Sequence, residues 1–104
     1  MNKGDTVFDL TKLGGRVYVG RPNGRMARAH FEIEKHEDMS DFPISVKFPT
    51  DARTLTSSFF LGMFGASVRR AGSRDAFLTR FIFDANEQIK EEIDLGITEA
   101  LIAS

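Results

Sequence analysis

The alternation of apolar and polar residues predicts about four strands in this chain. They are Thr6–Leu10, Arg16–Gly20, Ile44–Phe48 and Phe77–Phe83. The first is short and typical of an edge strand, whereas the second ends in a glycine and the third stops at Pro49. In the fourth, Leu78 and Ile82 point away from the phenylalanines, which predicts a strand with both faces covered.

Apolar residues at spacings of three and four predict two helices in the second half of the chain. The central helix runs from about Ser58 to Arg70 and is closed by Gly72. The last helix runs from Ala85 to about Ala103, with Asp84 as its N-cap.

Residues 22–34 fit either a helix or a hairpin. Pro22-Asn23-Gly24 is a typical turn sequence, yet Met26, His30 and Ile33 would share one helical face. We favour the helix because parallel strands need a helical crossover between them, and no other segment supplies one. Two polar segments, 35–41 and 49–53, are predicted as loops.

The resulting order of elements predicts a single α/β domain over residues 1–104. We expect a small mixed sheet of about four strands, covered by about three helices. The chain has ten phenylalanines and no tryptophan, and most of these rings fall between Phe42 and Phe83. Because a phenyl ring carries no polar group, we expect these rings to form the core.

Composition excludes several classes of function. A net charge of −1 argues against nucleic-acid binding, because phosphate binding normally needs a basic excess. No apolar run is long enough to span a membrane, and no signal peptide is expected, so the cytoplasm is the expected location. The absence of cysteine excludes disulfides, thiolate metal sites and a cysteine nucleophile.

Three hydroxyl residues, Thr56, Ser57 and Ser58, precede the central helix and form the first candidate site. One of them is expected to cap the helix by accepting a hydrogen bond from a first-turn N–H group. The others are candidates for a phosphate, which the positive end of the helix dipole would stabilise.

Three arginines, Arg21, Arg25 and Arg28, form a second candidate site, for an anion or an acidic partner. Their spacing is equally typical of a solvated helix face. The two histidines, His30 and His36, lack the spacing of metal ligands and are predicted to be surface residues. No set of nucleophile, base and acid is apparent, so we expect neither an enzyme, a cofactor nor a metal site.

The segment Leu55–Gly65, LTSSFFLGMFG, resembles the STAS-like domain family of unknown function. In that family an apolar strand leads to a (T/P)-S-S/A-F element and a helix with the pattern F-x-x-x-(L/M)-F-G. Gly20-Arg21, with Gly24 and Arg28, resembles the arginine-bearing segment that begins the family's first helix. The resemblance covers most of residues 16–101.

The resemblance implies a STAS-like sandwich and a role in signalling. In related anti-sigma-factor antagonists the equivalent loop reads D-S-S-G, and a partner kinase phosphorylates one serine. Ser57 matches that serine, although Thr56 replaces the acidic residue and Phe59 replaces the glycine. The implied partner is an ATPase of the histidine-kinase type or another signalling protein.

We therefore expect a non-enzymatic regulatory or adaptor module that binds a protein through the loop and helix start over residues 51–60. The residues expected to contact the partner are Asp51, Arg53, Thr56, Ser57, Ser58 and Phe59. The main alternative is a small-ligand or nucleotide-phosphate binder that uses the same helix start with Arg21 and Arg25. An enzyme subunit completed by another chain and a homodimer also remain open.

Overall fold

The computed structural model describes residues 6–102, which form five short strands and five α-helices. In chain order they are β1 Val7–Asp9, β2 Val17–Tyr18, α1 Arg21–His30, α2 Ile33–Asp38, β3 Ile44–Lys47, β4 Thr54–Leu55, α3 Ser57–Ala71, α4 Arg74–Arg80, β5 Phe81–Asp84 and α5 Glu87–Ile102. A short 3-10 helix, Leu10–Leu13, follows β1. The α/β class is confirmed, but the helices of the described part outnumber the expected three. Residues 1–5, and Ala103 of the predicted last helix, lie outside the described residues.

The strands form two small parallel sheets rather than the predicted single mixed sheet. In the larger sheet β3 lies between β1 and β5, with Val46 opposite both Phe8 and Phe83. In the smaller sheet β2 pairs with β4, with Tyr18 opposite Leu55. The pairs are parallel because helical segments connect β1 with β3, β2 with β4 and β3 with β5.

Residues 21–30 form helix α1, so the helical alternative for residues 22–34 is confirmed over most of its length. Pro22 lies in the first turn, where its missing N–H group is harmless. The chain turns at Glu32, which has φ 52°, and α2 begins at Ile33. The predicted loop over residues 35–41 is therefore wrong for residues 35–38. Ile33 and Glu37, one helical turn apart, are both buried and hold α2 against the core.

Helix α3 is the centre of the helical layer, with α1 and α5 packed against it. Its predicted limits are confirmed to within one residue, and Gly72 ends it in the left-handed conformation with φ 92°. Gly24 of α1 and Gly62 of α3 lie where the two backbones meet. A Cβ on Gly62 would lie 3.0 Å from the main-chain nitrogen of Arg25, and one on Gly24 would lie 2.9 Å from that of Met63. Only glycine permits this approach.

Phenylalanine rings form much of the core, as the sequence predicts. The ring of Phe64 on α3 lies 5.3 Å from those of Phe81 and Phe83 on β5, and 5.8 Å from that of Phe77 on α4. The fully or nearly fully buried rings are those of Phe8, Phe48, Phe59, Phe60, Phe64, Phe77 and Phe81. These contacts fix α3 across one face of the larger sheet.

The predicted strand Phe77–Phe83 is divided between a helix and a strand. Ser73 accepts a hydrogen bond from the Ala76 N–H (3.1 Å) and begins α4, which continues to Arg80 before β5 begins at Phe81. The predicted cap of the last helix is also wrong. Asp84 lies in β5, and the side chain of Asn86 caps α5 by accepting a bond from the Ile89 N–H (2.9 Å).

The other face of the larger sheet is open. Val7, Ser45 and Ile82 lie in one row on the face away from α3, and Val7 and Ile82 are 52% and 49% exposed. The prediction that both faces of the strand containing Ile82 are covered is therefore wrong, because Val7 and Ile82 each remain about half exposed.

Candidate functional site

The smaller sheet brings the starts of two helices together. Its strands β2 and β4 are parallel, and each leads within one or two residues into a helix, α1 or α3. The N–H of Thr56 donates to the Tyr18 carbonyl (2.9 Å), and the N–H of Gly20 approaches Thr56 Oγ1 at 3.4 Å. Both helices therefore begin at the same edge of the molecule, with their positive ends side by side.

Thr56 is the residue that caps α3. Its Oγ1 accepts a hydrogen bond from the Phe59 N–H (3.2 Å), and its backbone is extended, as is usual for an N-cap. Ser57 is the first residue of the helix and is partly exposed, whereas Ser58 is exposed. Neither serine hydroxyl forms a hydrogen bond with residues 6–102. The fold thus uses one of the three hydroxyls and leaves two at the surface.

Phe59 lies in the core rather than at this surface. It is 4% exposed, and its ring packs edge-on against that of Tyr18, with 5.5 Å between centroids. Phe59 therefore packs in the core beneath the start of α3, and it is not one of the exposed residues that could contact a partner.

The loop that precedes β4 is held firmly by side chains from the start of α5. Asn86 donates from its amide to the carbonyls of Thr50 (3.1 Å) and Ala52 (2.8 Å). The N–H of Arg53 donates to the Arg16 carbonyl at 2.8 Å, which ties the loop to β2. Hydrogen bonds with Asn86 and Arg16 thus hold this loop in place.

The charged side chains of this loop, Asp51 and Arg53, are exposed. Asp51 forms an ion pair with Arg16, also exposed, and the hydrogen bond from Arg16 lowers the pKa of the Asp51 carboxyl. Asp51 therefore remains ionised well below neutral pH. The loop presents a fixed negative charge beside positive ones.

The three candidate arginines do not act as one group. Arg21 and Arg25 are exposed on α1. Arg28 instead turns toward α3, where it donates to the Met63 carbonyl (2.8 Å) and the Ser67 hydroxyl (2.9 Å). Only Arg21 and Arg25 remain at the surface for an anion.

Arg28 also pairs with Glu37, which lies in the predicted loop over residues 35–41 and is not among the candidate residues predicted from sequence. The carboxylate of Glu37 is 1% exposed and lies 3.2 Å from Arg28 and 3.9 Å from Arg70. Its Oε2 atom is buried without a hydrogen-bond partner among the described residues. The spacing of Ile33 and Glu37, one turn apart, is the signal in the sequence that could have revealed a buried acid.

The histidines differ in environment. His30 is exposed, as predicted. His36 is only partly exposed, because its ring packs near that of Phe8 (5.5 Å between centroids) and its Nδ1 lies 2.7 Å from Asp41 Oδ2. The prediction that His36 is an ordinary surface residue is therefore corrected. Residues 6–102 contain no cluster of three or more His, Asp or Glu side chains placed to hold a metal ion.

Comparison with known proteins finds no matching family model, curated protein or solved structure. The resemblance to the STAS-like family thus stays a prediction from the Leu55–Gly65 segment. No helix within residues 6–102 combines the length and the apolar character that crossing a membrane requires.

Proposed function

We propose that this protein is a non-enzymatic regulatory or adaptor module that binds another protein through the loop and helix start over residues 51–58. The proposal rests on one observation, which is that three neighbouring hydroxyl residues differ in their hydrogen bonding. Thr56 caps α3, whereas the hydroxyls of the partly exposed Ser57 and the exposed Ser58 form no hydrogen bond with residues 6–102. Side chains that stability does not require are free to serve binding.

The order of the loop supports this role. Asn86 holds two loop carbonyls, and Arg16 is bonded to the loop through its main chain and its side chain. A surface that is already ordered loses less conformational entropy when a partner binds. The exposed charges of Asp51 and Arg53 would then contribute orientation and specificity rather than raw affinity.

Phosphorylation of Ser57 is the proposed switch. A phosphate on the first residue of α3 would lie at the positive end of the helix dipole, so the modified chain would remain folded. It would also add about two negative charges at the helix start that follows the Asp51 loop along the chain. A partner that reads this surface would therefore distinguish the two forms by charge.

By resemblance to the STAS-like family, the proposed partner is a signalling protein in the cytoplasm, such as an ATPase of the histidine-kinase type. A second copy of the chain is the alternative partner. Neither Phe59 nor Arg28 belongs to the proposed contact surface, since the first is in the core and the second faces α3.

Affinity capture with purified protein tests the proposal. Wild type, Ser57→Asp and the control Ser40→Asp are immobilised at equal density and exposed to extract from the source cells. Ser40 is exposed, so the control adds the same charge at another surface position. We expect Ser57→Asp, but not Ser40→Asp, to change recovery of a specific protein at least tenfold. Equal recovery by all three would show that Ser57 is not a switch. A further variant, Arg53→Glu, tests the loop itself. If Arg53→Glu no longer captures the protein, the loop is part of the contact.

A second candidate function is the binding of a phosphate-bearing small ligand. The neighbouring starts of α1 and α3 favour it, because two positive helix ends meet where Gly20 N approaches Thr56 Oγ1. Arg21 and Arg25 lie on the first turns of α1 and form no ion pair with residues 6–102.

Thermal melts with inorganic phosphate and with nucleotides separate this candidate from the first. A ligand at 100 times its dissociation constant stabilises a protein by about 2.7 kcal/mol. We expect such a shift to disappear in the double variant Arg21→Ala/Arg25→Ala if the helix starts bind the anion. Melting temperatures that do not respond to any of these anions would reject the candidate.

A further inference from the structure

Helix α2 is bounded by two residues in the left-handed backbone conformation. Glu32 precedes the helix, Ser40 follows it after Met39, and both have φ 52°. They are the only non-glycine residues with positive φ between residues 6 and 102. Each comes just after the end of a helix, where glycine is the usual residue because a Cβ atom strains this conformation. Backbone strain is therefore concentrated at the two ends of one six-residue helix.

Few side chains hold α2 to the rest of the domain. Only Ile33 and Glu37 of its six residues are buried, whereas eight residues of α3 are buried. A third contact comes from His36, which is partly exposed and lies near the ring of Phe8 and the carboxylate of Asp41. A helix anchored by one buried apolar side chain gains little hydrophobic stabilisation, so its attachment depends largely on Glu37.

The buried carboxylate of Glu37 is a poorly balanced contact. Its Oε1 atom lies 3.2 Å from Arg28 and 3.9 Å from Arg70, while its Oε2 atom is buried without a hydrogen-bond partner among residues 6–102. A buried ion pair adds little net stability, because the desolvation of both groups offsets much of their attraction. The unpaired oxygen costs further free energy, which water would recover if the helix moved away.

The ion pairs that α2 makes with other helices converge on the same two arginines. Arg70 pairs with Asp38 at 3.0 Å and approaches Glu37, and Arg28 pairs with Glu37. Within residues 6–102, every acidic partner of Arg28 and Arg70 thus lies on α2. Movement of the helix would leave both guanidinium groups without a counter-charge. In its docked position α2 therefore masks a basic surface on α1 and α3.

We propose that α2 is a strap that opens as a unit while the rest of the domain stays folded, and that the contact of Glu37 with Arg28 and Arg70 is its latch. Glu32 and Ser40 are the hinges, because each relaxes to an ordinary backbone conformation once α2 leaves the core. The closed strap neutralises the two arginines, and the open strap uncovers them. The surface proposed above to bind a partner takes no part in this motion, so failure of the strap would leave that function unaffected.

Native-state hydrogen exchange of the ¹⁵N-labelled protein tests the strap directly. The N–H groups of His36 and Met39 report on α2, because they form hydrogen bonds of 3.2 and 3.1 Å at the two ends of the helix. N–H groups in the middle of α3 report on unfolding of the whole domain. We expect protection factors in α2 to be similar to one another and at least a hundredfold lower than in α3. They should also depend less on low urea concentrations, because a local opening exposes little surface.

Glycine at one hinge gives a matched pair of variants. Ser40→Gly places glycine where φ is 52°, whereas Met39→Gly, at the neighbouring exposed position, places it where φ is −87°. Glycine relieves strain only at residue 40, and at residue 39 it merely makes the open chain more flexible. We therefore expect Ser40→Gly to raise the protection factors of α2 at least threefold and Met39→Gly to lower them.

Two neighbouring arginines of α3 test the latch. Arg70→Gln removes a charge that pairs with Asp38, whereas Arg69→Gln removes one that forms no ion pair with residues 6–102. Both arginines are exposed at the end of the same helix, so the two variants differ chiefly in their contact with α2. We expect the N–H groups of α2 to exchange at least threefold faster in Arg70→Gln and to change less than twofold in Arg69→Gln.

Equal protection factors and equal urea dependence for α2 and α3 would overturn the proposal, because α2 would then open only when the whole domain unfolds. Equal effects of Ser40→Gly and Met39→Gly would show that residue 40 is not a hinge. Equal effects of Arg70→Gln and Arg69→Gln would show that the arginine contact is not a latch. Either of these results would also contradict the proposal.

Discussion

Replacement of Gly62 by alanine tests the close approach of α1 and α3, on which the arrangement of the helix starts depends. In an ordinary helix this change stabilises, because alanine has the higher helix propensity by about 1 kcal/mol. At Gly62, however, the new methyl group would collide with the main chain of α1, at the Arg21 carbonyl and within 3.0 Å of the Arg25 nitrogen. Main-chain atoms inside a helix cannot rotate away, so the two helices would have to separate.

The net change in the free energy of unfolding follows from the gain in helix propensity and the steric cost of the new methyl group. Overpacking of a core costs about 1–3 kcal/mol, and a collision with backbone belongs at the upper end of that range. After the gain in propensity, Gly62→Ala should destabilise by about 2 kcal/mol, which lowers the melting temperature by on the order of 10 °C for a domain of this size. Gly65, in the same helix, is the control. A Cβ there would make only ordinary contacts, 3.5 Å from an Arg69 guanidinium nitrogen and 3.6 Å from Leu61.

We therefore expect Gly62→Ala and Gly65→Ala to act in opposite directions. Gly65→Ala should stabilise by about 0.5–1 kcal/mol, since only the propensity term changes. Urea unfolding followed by circular dichroism, together with thermal melts, measures both variants under the same conditions. If Gly62→Ala is as stable as Gly65→Ala, the helices do not cross in backbone contact, and the side-by-side placement of the two helix starts loses its support.

Two further predictions concern charged groups. Arg28→Met should lower the free energy of unfolding in urea by on the order of 3 kcal/mol, because it leaves the buried Glu37 carboxylate without its nearest cation. The control Arg25→Met, at an exposed position, should change this free energy by less than about 0.5 kcal/mol. A small loss for Arg28→Met would contradict a stabilising Arg28–Glu37 ion pair in the core. In Arg16→Gln the pKa of Asp51 should rise toward its ordinary value, as measured by NMR titration of the carboxyl carbon. Because folding lowers the pKa of Asp51, the stabilisation from its ionised carboxylate is present at neutral pH and disappears as the pH falls below about 4. An unchanged Asp51 pKa in Arg16→Gln would contradict the ion pair.

The position of α3 is predictable from sequence because independent signals agree. A hydroxyl residue precedes the apolar pattern, the pattern keeps helical spacing, and Gly72 follows basic residues at the end.

At the boundary between α4 and β5, by contrast, the sequence signals do not agree. Phe77 and Phe81 are four positions apart, a spacing that suits both a helix face and one face of a strand. Ser73, which caps α4, is the signal that decides between them, and it lies outside the apolar run.

The candidate site is predictable in location but not in the role of each residue. The sequence brings Thr56, Ser57 and Ser58 to a helix start, yet the choice of cap depends on where α3 begins. Likewise Arg28 resembles Arg25 in sequence, and only the tertiary fold separates them. Its partners Glu37 and Ser67 are 9 and 39 positions away, on two other helices. Local patterns carry no information about contacts of that kind.

The roles of Thr56 and Ser57 can be separated by three substitutions, and the result bears directly on the proposed function. Thr56→Val keeps the shape of the side chain but removes the oxygen that accepts from the Phe59 N–H, and should cost about 1 kcal/mol. Ser57→Ala should be nearly neutral, whereas Ser57→Asp should stabilise by about 0.3–1 kcal/mol at low salt, because its charge meets the positive end of α3. Chemical unfolding at low and at 0.5 M salt measures all three, and the gain from Ser57→Asp should diminish at the higher salt. A loss with Ser57→Ala equal to that with Thr56→Val would mean that the serine hydroxyl serves the fold. A modification at Ser57 would then disturb the helix that carries it, and a switch acting only through surface charge could not operate there.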